Sequence, residues 1–262
     1  MDLNLSGRHA LVCGASEGIG RAAAHELALL GASVTLLARR AEVLADVAAD
    51  LPTVASGQSH DWLAADLADP AGLRAGAEAL VARSPVHILV NNTGGPPGGR
   101  AIDADASAYL DAFQRHLLAN QLLAGLVVPG MRDAGWGRIV NVVSTSVKEP
   151  IPNLGVSNTI RGAVASWAKT LSRELGADGI TVNNVLPGYT RTRRLQQILD
   201  DRSAASGKDE AVVAAGMLAT VPAGRFADPV EVAAAIAFLA SPAAGYISGV
   251  SLAVDGGRMQ SI

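Results

Sequence analysis

His9-Ala10-Leu11-Val12-Cys13-Gly14-Ala15-Ser16-Glu17-Gly18-Ile19-Gly20 is the stretch on which the fold of this 262-residue chain turns. The first five residues are apolar enough to read as a buried strand. They run into glycines spaced Gly-x-x-x-Gly-x-Gly, and a helix is expected to start at about Arg21. Glycines at such a junction permit a tight turn and let the backbone approach a pyrophosphate, which then rests on the helix N-terminus. A glycine turn alone is an ordinary connection. Between a strand and a helix at the head of an alternating chain, it predicts a dinucleotide cradle made by Gly14, Ser16, Glu17, Gly18, Ile19 and Gly20.

Outward from this stretch, short β-branched runs alternate with longer helical patterns, the signature of βαβ units and a parallel sheet. The runs read as strands are His9–Cys13, Ser33–Ala38, Trp62–Ala65, Ile88–Asn91, Ile139–Val143, Thr181–Leu186 and Val250–Val254. Between them, Ala23, Leu27 and Leu30 share a helical face, as do Leu110, Phe113 and Leu117. The clearest periodicity is Ile160, Val164, Trp167, Leu171 and Leu175. Asp228-Pro229-Val230-Glu231 opens the last helix with a capping Asp, a Pro at the first helical position and a Glu three residues after the cap. No repeat or linker interrupts residues 1–262, so one domain is expected. The polar, poorly patterned Arg193–Lys208 reads as a mobile flap over the site, within about residues 190–220.

Composition bounds the function. Hydrophobic residues make up 49% and charged residues 17%, enough for a sizeable core and against disorder. The net charge of −3, without a basic run, argues against nucleic acid as a partner. The single cysteine, Cys13, forms no intramolecular disulfide and suits a reducing cytosol; at the end of a strand it reads as core. The N-terminus lacks the basic and apolar regions of a signal peptide, and no apolar run is long enough to span a membrane. A cytoplasmic protein with no membrane partner and no metal site is expected.

The second strand ends Leu36-Leu37-Ala38-Arg39-Arg40. An Asp or Glu at such a strand end binds the ribose 2′-hydroxyl of NAD, whereas Arg accommodates a 2′-phosphate. With no carboxylate and two cations, Arg39 and Arg40 favour NADP(H) over NAD(H). Glu17 opposes this, because its charge can face the phosphate, and the arginines also suit a solvated helix start.

The functional centre is placed at Arg138–Arg161. The strand Ile139–Val143 ends at Ser144, a loop with Pro150 and Pro152 follows, and a helix begins near Val156. Ser157 and Arg161, four residues apart, fall on one face of it. Ligands of parallel α/β sheets bind beyond the carboxyl ends of strands, where Ser144 stands.

With these pieces placed, the chain resembles the short-chain dehydrogenase/reductase family over nearly its whole length, the 3-oxoacyl-(acyl-carrier-protein) reductases among its well-known members. The family glycine motif matches Gly14, Gly18 and Gly20. Its adenine-contacting Asp matches Asp66, followed by Leu67. Its Asn-Asn-Ala-Gly motif stands here as Asn91-Asn92-Thr93-Gly94, and its Pro-Gly motif as Pro187-Gly188, with Thr192 at the nicotinamide-side threonine. Asp255-Gly256-Gly257 matches its C-terminal turn. The resemblance implies an α/β fold with a Rossmann-type doubly wound parallel sheet of about seven strands and helices on both faces. It implies cofactor contacts at Asn92, Gly94, Asp66, Leu67, Pro187, Gly188, Thr192 and Arg161. It also implies a small-molecule substrate and a homo-oligomer, tetramer or dimer, built partly on helices at Leu110–Val128 and Val156–Leu175.

The chain departs from the family where the chemistry is done. The family uses Asn, Ser, Tyr and Lys. Ser144 matches the serine, but Ser157 stands at the tyrosine, Arg161 at the lysine and His116 at the asparagine, with Asn120 one turn later. A phenol with a pKa of about 10 can be tuned by a nearby cation; a serine hydroxyl is a far weaker acid, and Arg does not pass on a proton as Lys does. Ser157 and Arg161 therefore read as an anion or hydroxyl clamp. For the proton, His116 is the first candidate because imidazole titrates near neutrality; a plain hydrogen-bonding role in place of Asn is its alternative. Tyr189 comes second, against a wall of the substrate pocket, and Lys148 third, against an exposed loop lysine. In Thr93–Gly99, Gly94 is expected to approach the cofactor, with Pro96 and Pro97 stiffening the substrate entrance. The resulting expectation is an NADP(H)-dependent carbonyl reductase or alcohol dehydrogenase. The alternatives are a cofactor-binding protein without turnover, or a non-redox enzyme of the dehalogenase type.

Overall fold

The computed structural model describes residues 1–261. Seven parallel strands form one sheet: β1 (His9–Cys13), β2 (Ser33–Ala38), β3 (His60–Ala64), β4 (Ile88–Asn91), β5 (Gly137–Val142), β6 (Ile180–Pro187) and β7 (Ser251–Val254). Their order is β3-β2-β1-β4-β5-β6-β7. The chain reverses its direction across the sheet between β1 and β4, which opens a crevice beyond their carboxyl ends. The helices are α1 (Gly18–Leu29), α2 (Ala41–Asp50), α3 (Pro70–Arg83), α4 (Ala106–Phe113), α5 (Ala119–Asp133), α6 (Gly155–Glu174), α7 (Arg193–Ser206), α8 (Glu210–Leu218) and α9 (Pro229–Ala240). The doubly wound α/β architecture expected from the sequence is present.

Each face of the sheet is covered by helices carrying small and branched apolar residues. On one side, Ala23, Ala24 and Leu27 of α1 meet Ala233, Ile236 and Ala237 of α9 over Val12, Val34 and Val140. Alanines on both helices allow a close approach. On the other side, Leu73 of α3, Leu123 and Val127 of α5 and Ala168 of α6 cover Leu11, Leu89, Ile139 and Val182. At the start of α9, the carboxylate of Glu231 accepts the Asp228 N–H at 2.8 Å, as the capping pattern predicts.

Several boundaries differ from the sequence reading, each for a physical reason. The third strand runs from His60 to Ala64 rather than from Trp62 to Ala65; as an edge strand it carries polar residues that mask its start. The fifth begins at Gly137 and includes Arg138, which is buried and stacks on Trp136 at 4.2 Å, with Arg8 at 4.2 Å from the same ring. The sixth extends to Ile180 and Pro187, and the seventh starts at Ser251. Helix α1 begins at Gly18 rather than Arg21. The expected helix over Leu110–Val128 is divided: a π turn at Gln114–Leu118 separates α4 from α5. Arg193–Lys208, read as a mobile flap, contains the helix α7. Its Leu195 and Leu199 bury against Met217 of α8, with Tyr189 and Phe226 packed alongside.

A polar ladder crosses the sheet interior. Asn91, Asn141, Asn184 and Ser251 lie in register on β4, β5, β6 and β7. Asn91 Nδ2 donates to Asn141 Oδ1 at 2.8 Å, Asn141 Nδ2 to Asn184 Oδ1 at 3.0 Å, and Asn184 Nδ2 to Ser251 Oγ at 3.1 Å. The three asparagines are buried. No helix among the described residues is long and apolar enough to cross a membrane.

Candidate active site

The crevice at the carboxyl ends of β1 and β4 is fastened by Asn92. Its amide donates to the carbonyls of Cys13 at 3.3 Å and Gly14 at 3.4 Å, so this predicted cofactor ligand holds the glycine turn in shape. Gly14 has φ +61°, and a Cβ there would lie 2.6 Å from the Asn92 carbonyl oxygen. Gly18 has φ +59°, and its Cβ position is 3.1 Å from the Thr192 methyl. Only glycine meets both demands, a left-handed backbone and close approach. Helix α1 starts at this point with no side-chain cap. Its first N–H groups and the positive end of its dipole are thus free for phosphate oxygens, and the cradle fits a dinucleotide pyrophosphate. Cys13, beneath it, is fully buried and its thiol is pushed up to about 12, so it is core and no nucleophile.

Around the cradle, Arg40 reaches Glu17 at 3.2 Å and Ser16 Oγ at 3.4 Å, while Arg193 reaches the other Glu17 oxygen at 3.2 Å. The Glu17 charge that opposed a phosphate is therefore held by two cations. Arg39 is exposed and has no ion pair among the described residues. The Asp66 carboxylate accepts the Ala68 N–H at 2.9 Å and sits 3.6 Å from Arg115, and Leu67 packs on the core. Ile19 is part of the α1 packing layer, and Gly20 is buried. Pro187 closes β6; the Gly188 N–H donates to the Val254 carbonyl at 2.9 Å, which ties this turn to β7. Thr192 caps α7 through its Oγ1 and the Leu195 N–H at 3.4 Å.

The centre expected at Arg138–Arg161 is assembled from β5, the turn after it and α6. Ser144 lies beyond β5; its Oγ accepts the Ser146 N–H at 3.1 Å, which leaves the hydroxyl proton free to donate. Ser157 and Arg161 are both buried on α6, which packs against the turn at Thr145–Val147 and the π turn. Arg161 Nη1 donates to the Val142 carbonyl at 3.0 Å and Nη2 to the Thr93 carbonyl at 3.1 Å. The guanidinium thereby joins β5 to the chain after β4. Burial, and then Arg194, lower its pKa to about 10, so near neutrality it remains charged.

His116 lies in the π turn, buried. Burial first, then the charges of Arg161 and Arg115, push its pKa down to about 2, against a backbone hydrogen bond with Gly94 that raises it. Desolvation outweighs the intrinsic pKa, so the imidazole is neutral near pH 7, where the sequence alone suggests a group titrating near neutrality. Lys148 is exposed, as its alternative held. Tyr189 carries Arg258 over its ring at 4.7 Å and lines a cavity of about 430 Å³ between α7 and α8.

The loop after β4 is zipped to the loop before α6. Gly99 bridges Leu154, its N–H donating to the Asn153 carbonyl at 2.8 Å, and the Gly155 N–H donates to the Gly99 carbonyl at 2.9 Å. Gly94 itself is exposed at the mouth. Sequence reading missed Arg194, whose Nη2 donates to the Pro96 carbonyl at 2.7 Å across the crevice. It lies in the segment with the weakest pattern, and nothing local marks it.

The family model described as Enoyl-(Acyl carrier protein) reductase matches residues 14–258. The 3-oxoacyl-(acyl-carrier-protein) reductase of Vibrio cholerae is 35% identical over 258 residues, covering 97% of this chain and 98% of that one. The L-sorbose reductase of Gluconobacter frateurii, solved with NADPH and L-sorbose, superposes with a TM-score of 0.91 at 30% identity and covers both chains fully (100% each). YwfH, an NADPH-dependent reductase involved in bacilysin biosynthesis, superposes with a TM-score of 0.91 at 28% identity over 97% of this chain and 99% of that one. With its seven-stranded sheet, glycine cradle and near-complete coverage of such relatives, the chain belongs to the short-chain dehydrogenase/reductase family of oxidoreductases.

Proposed function

We propose that the chain is an NADP(H)-dependent oxidoreductase acting on a small carbonyl compound or the corresponding alcohol. One observation carries this reading: the guanidinium of Arg161, hung between the Val142 and Thr93 carbonyls, keeps a buried positive charge where the glycine cradle and the Ser144 turn meet. When bound, the cofactor supplies or takes up a hydride. Ser144 donates its free hydroxyl proton as a hydrogen bond to the substrate oxygen. Arg161 stabilises negative charge that develops on that oxygen, as a preorganised cation in a partly dehydrated site. Ser157 adds a second hydroxyl, and the proton that completes reduction comes from solvent through these hydroxyls, because neither replaces the phenol as an acid. His116 serves as a neutral donor or acceptor that orders the Gly94 backbone.

The preference for NADP(H) rests on Arg39 and Arg40 after β2, on the neutralised Glu17, and on one relative described as NADPH-dependent and another solved with NADPH. Fluorescence titration tests it: NADPH is expected to bind at least about tenfold more tightly than NADH, and equal affinities would refute the preference. NADPH oxidation over a panel of ketones, keto sugars and 3-oxoacyl thioesters tests the reaction. A second reading, a cofactor-binding protein without turnover, is favoured by one observation: Ser157 and Arg161 replace the family's Tyr and Lys while His116 is held neutral. Tight NADPH binding with no turnover on any substrate of the panel would establish it.

A further inference from the structure

Several arginines around the crevice mouth are paired with acids. Arg40 and Arg193 share Glu17, Arg191 meets Asp228 at 3.0 Å, and Arg225 meets Glu231. Two others are not: among the described residues, no carboxylate lies within ion-pair distance of Arg161 or Arg194. These two converge from α6 and α7 on the same point. A Cβ on Gly95 would stand 3.7 Å from Arg161 Nη2, and 3.6 Å and 3.8 Å from Arg194 Nη2 and Nε. No side chain occupies that point, since the residue is glycine.

Both guanidiniums are held in place by neutral groups. Arg161 is fixed by two backbone carbonyls, and Arg194 by the Pro96 carbonyl and, at 3.1 Å, Gln197 Oε1. Each guanidinium has five N–H donors, so donors remain on both after these bonds. Two like charges facing each other in a partly buried space repel, and an anion between them converts that repulsion into two attractions. Arg194 also sits in the first turn of α7, the helix end that favours negative charge. A lysine at position 161 would offer a point charge; the guanidinium offers the planar fork that matches a carboxylate.

We propose that Arg161 and Arg194 form a receptor for a carboxylate on the substrate, so that the natural substrate is an oxo acid or hydroxy acid. This rests on the oxidoreductase reading for the identity of the reacting group, but the anion receptor itself is measurable by binding alone. The probes are pyruvate, 4-oxopentanoate and 5-oxohexanoate, each with its methyl ester, titrated calorimetrically into the protein saturated with NADP. At least one acid is expected to bind about tenfold or more tightly than its ester. Arg194→Gln should abolish that ratio, and Arg194→Lys should restore part of it. Affinity for NADPH, measured on the same Arg194→Gln protein, should stay within about twofold. Equal binding of acids and esters throughout overturns the proposal. So does a tenfold loss of NADPH affinity in Arg194→Gln, which would assign the pair to the cofactor diphosphate. NADPH oxidation with the same compounds separates the two claims: an acid that binds through Arg194 without being reduced sinks the redox reading and leaves the receptor standing.

Discussion

At the scale of single residues, the site is governed by where charge is kept after burial. Arg161 stays cationic because a guanidinium begins from so high a pKa that lowering to about 10 does not discharge it. His116, beginning at 6.5, is driven to about 2 by the same burial and by Arg161 itself. The sequence showed which residue types occupy the family's catalytic positions, but not their desolvation, and desolvation decides which of them titrates. The His116 shift has a consequence for stability. Between about pH 2 and 6.5 the unfolded chain binds a proton at this imidazole that the folded chain refuses. Stability from this group is therefore complete above 6.5 and is lost as pH falls below it. From pH 7 to pH 5 the loss is about 2 kcal/mol. His9, His60 and His87 are lowered by burial too and add to the total. His116→Asn, which keeps a hydrogen-bonding side chain without a titrating ring, should shrink the acid loss by about 2 kcal/mol in urea unfolding at the two pH values. An unchanged pH dependence would show that His116 is protonated in the fold.

At the scale of elements, the ladder of asparagines shows what binds β4, β5, β6 and β7 besides apolar packing. Each side-chain amide lies opposite the next in the parallel register, so every donor has an acceptor one strand over. Asn141→Leu keeps the branching at Cγ but leaves the Asn91 donor and the Asn184 acceptor buried and unpaired. An unsatisfied buried polar group costs about 1–3 kcal/mol, so a destabilisation of roughly 2–4 kcal/mol is expected from urea unfolding. A change under about 0.5 kcal/mol would mean that water replaces the lost amide. The alternation of strands and helices was legible in the sequence because apolar runs and helical periods report burial directly. The ladder was not, because asparagines in a strand look like breaks in an apolar run until their partners, 43 and 50 residues distant, are brought alongside. Arg138 hid the start of β5 in the same way: its charge argues for solvent, and only the Trp136 stack shows how it is buried. The π turn in the middle of Leu110–Val128 adds a residue to a helix whose apolar spacing gave no sign of it.

At the scale of the whole molecule, the cradle, the Ser144 turn and the α7–α8 hairpin converge at one end of the sheet, which was legible from the glycine motif and the strand ends. For its outer faces, the sequence offers only what family resemblance implies, an expected dimer or tetramer built partly on the helices around Leu110–Val128. The structure adds particular residues to that expectation. Leu110 on α4 is 69% exposed and Leu118 at the end of the π turn 45%, with Ile102 on the preceding turn 80% exposed. Large apolar side chains collected along one connected stretch are costly to leave in water, and burial recovers about 25 cal/mol for each Å² covered. The same segment carries His116 on its buried side, so an interface there would brace the π turn from outside. In sedimentation velocity at micromolar concentration, the 26.6 kDa chain is expected to run as a dimer or tetramer. The double variant Leu110→Asp with Leu118→Asp should shift it toward monomer, because two carboxylates in an apolar interface cost several kcal/mol unless they are paired. NADPH affinity should persist in the variant, since neither leucine belongs to the cradle formed by the glycine turn and Asn92. A monomer in the unaltered chain would refute the expected assembly, and an unchanged assembly in the variant would place the contact on another face.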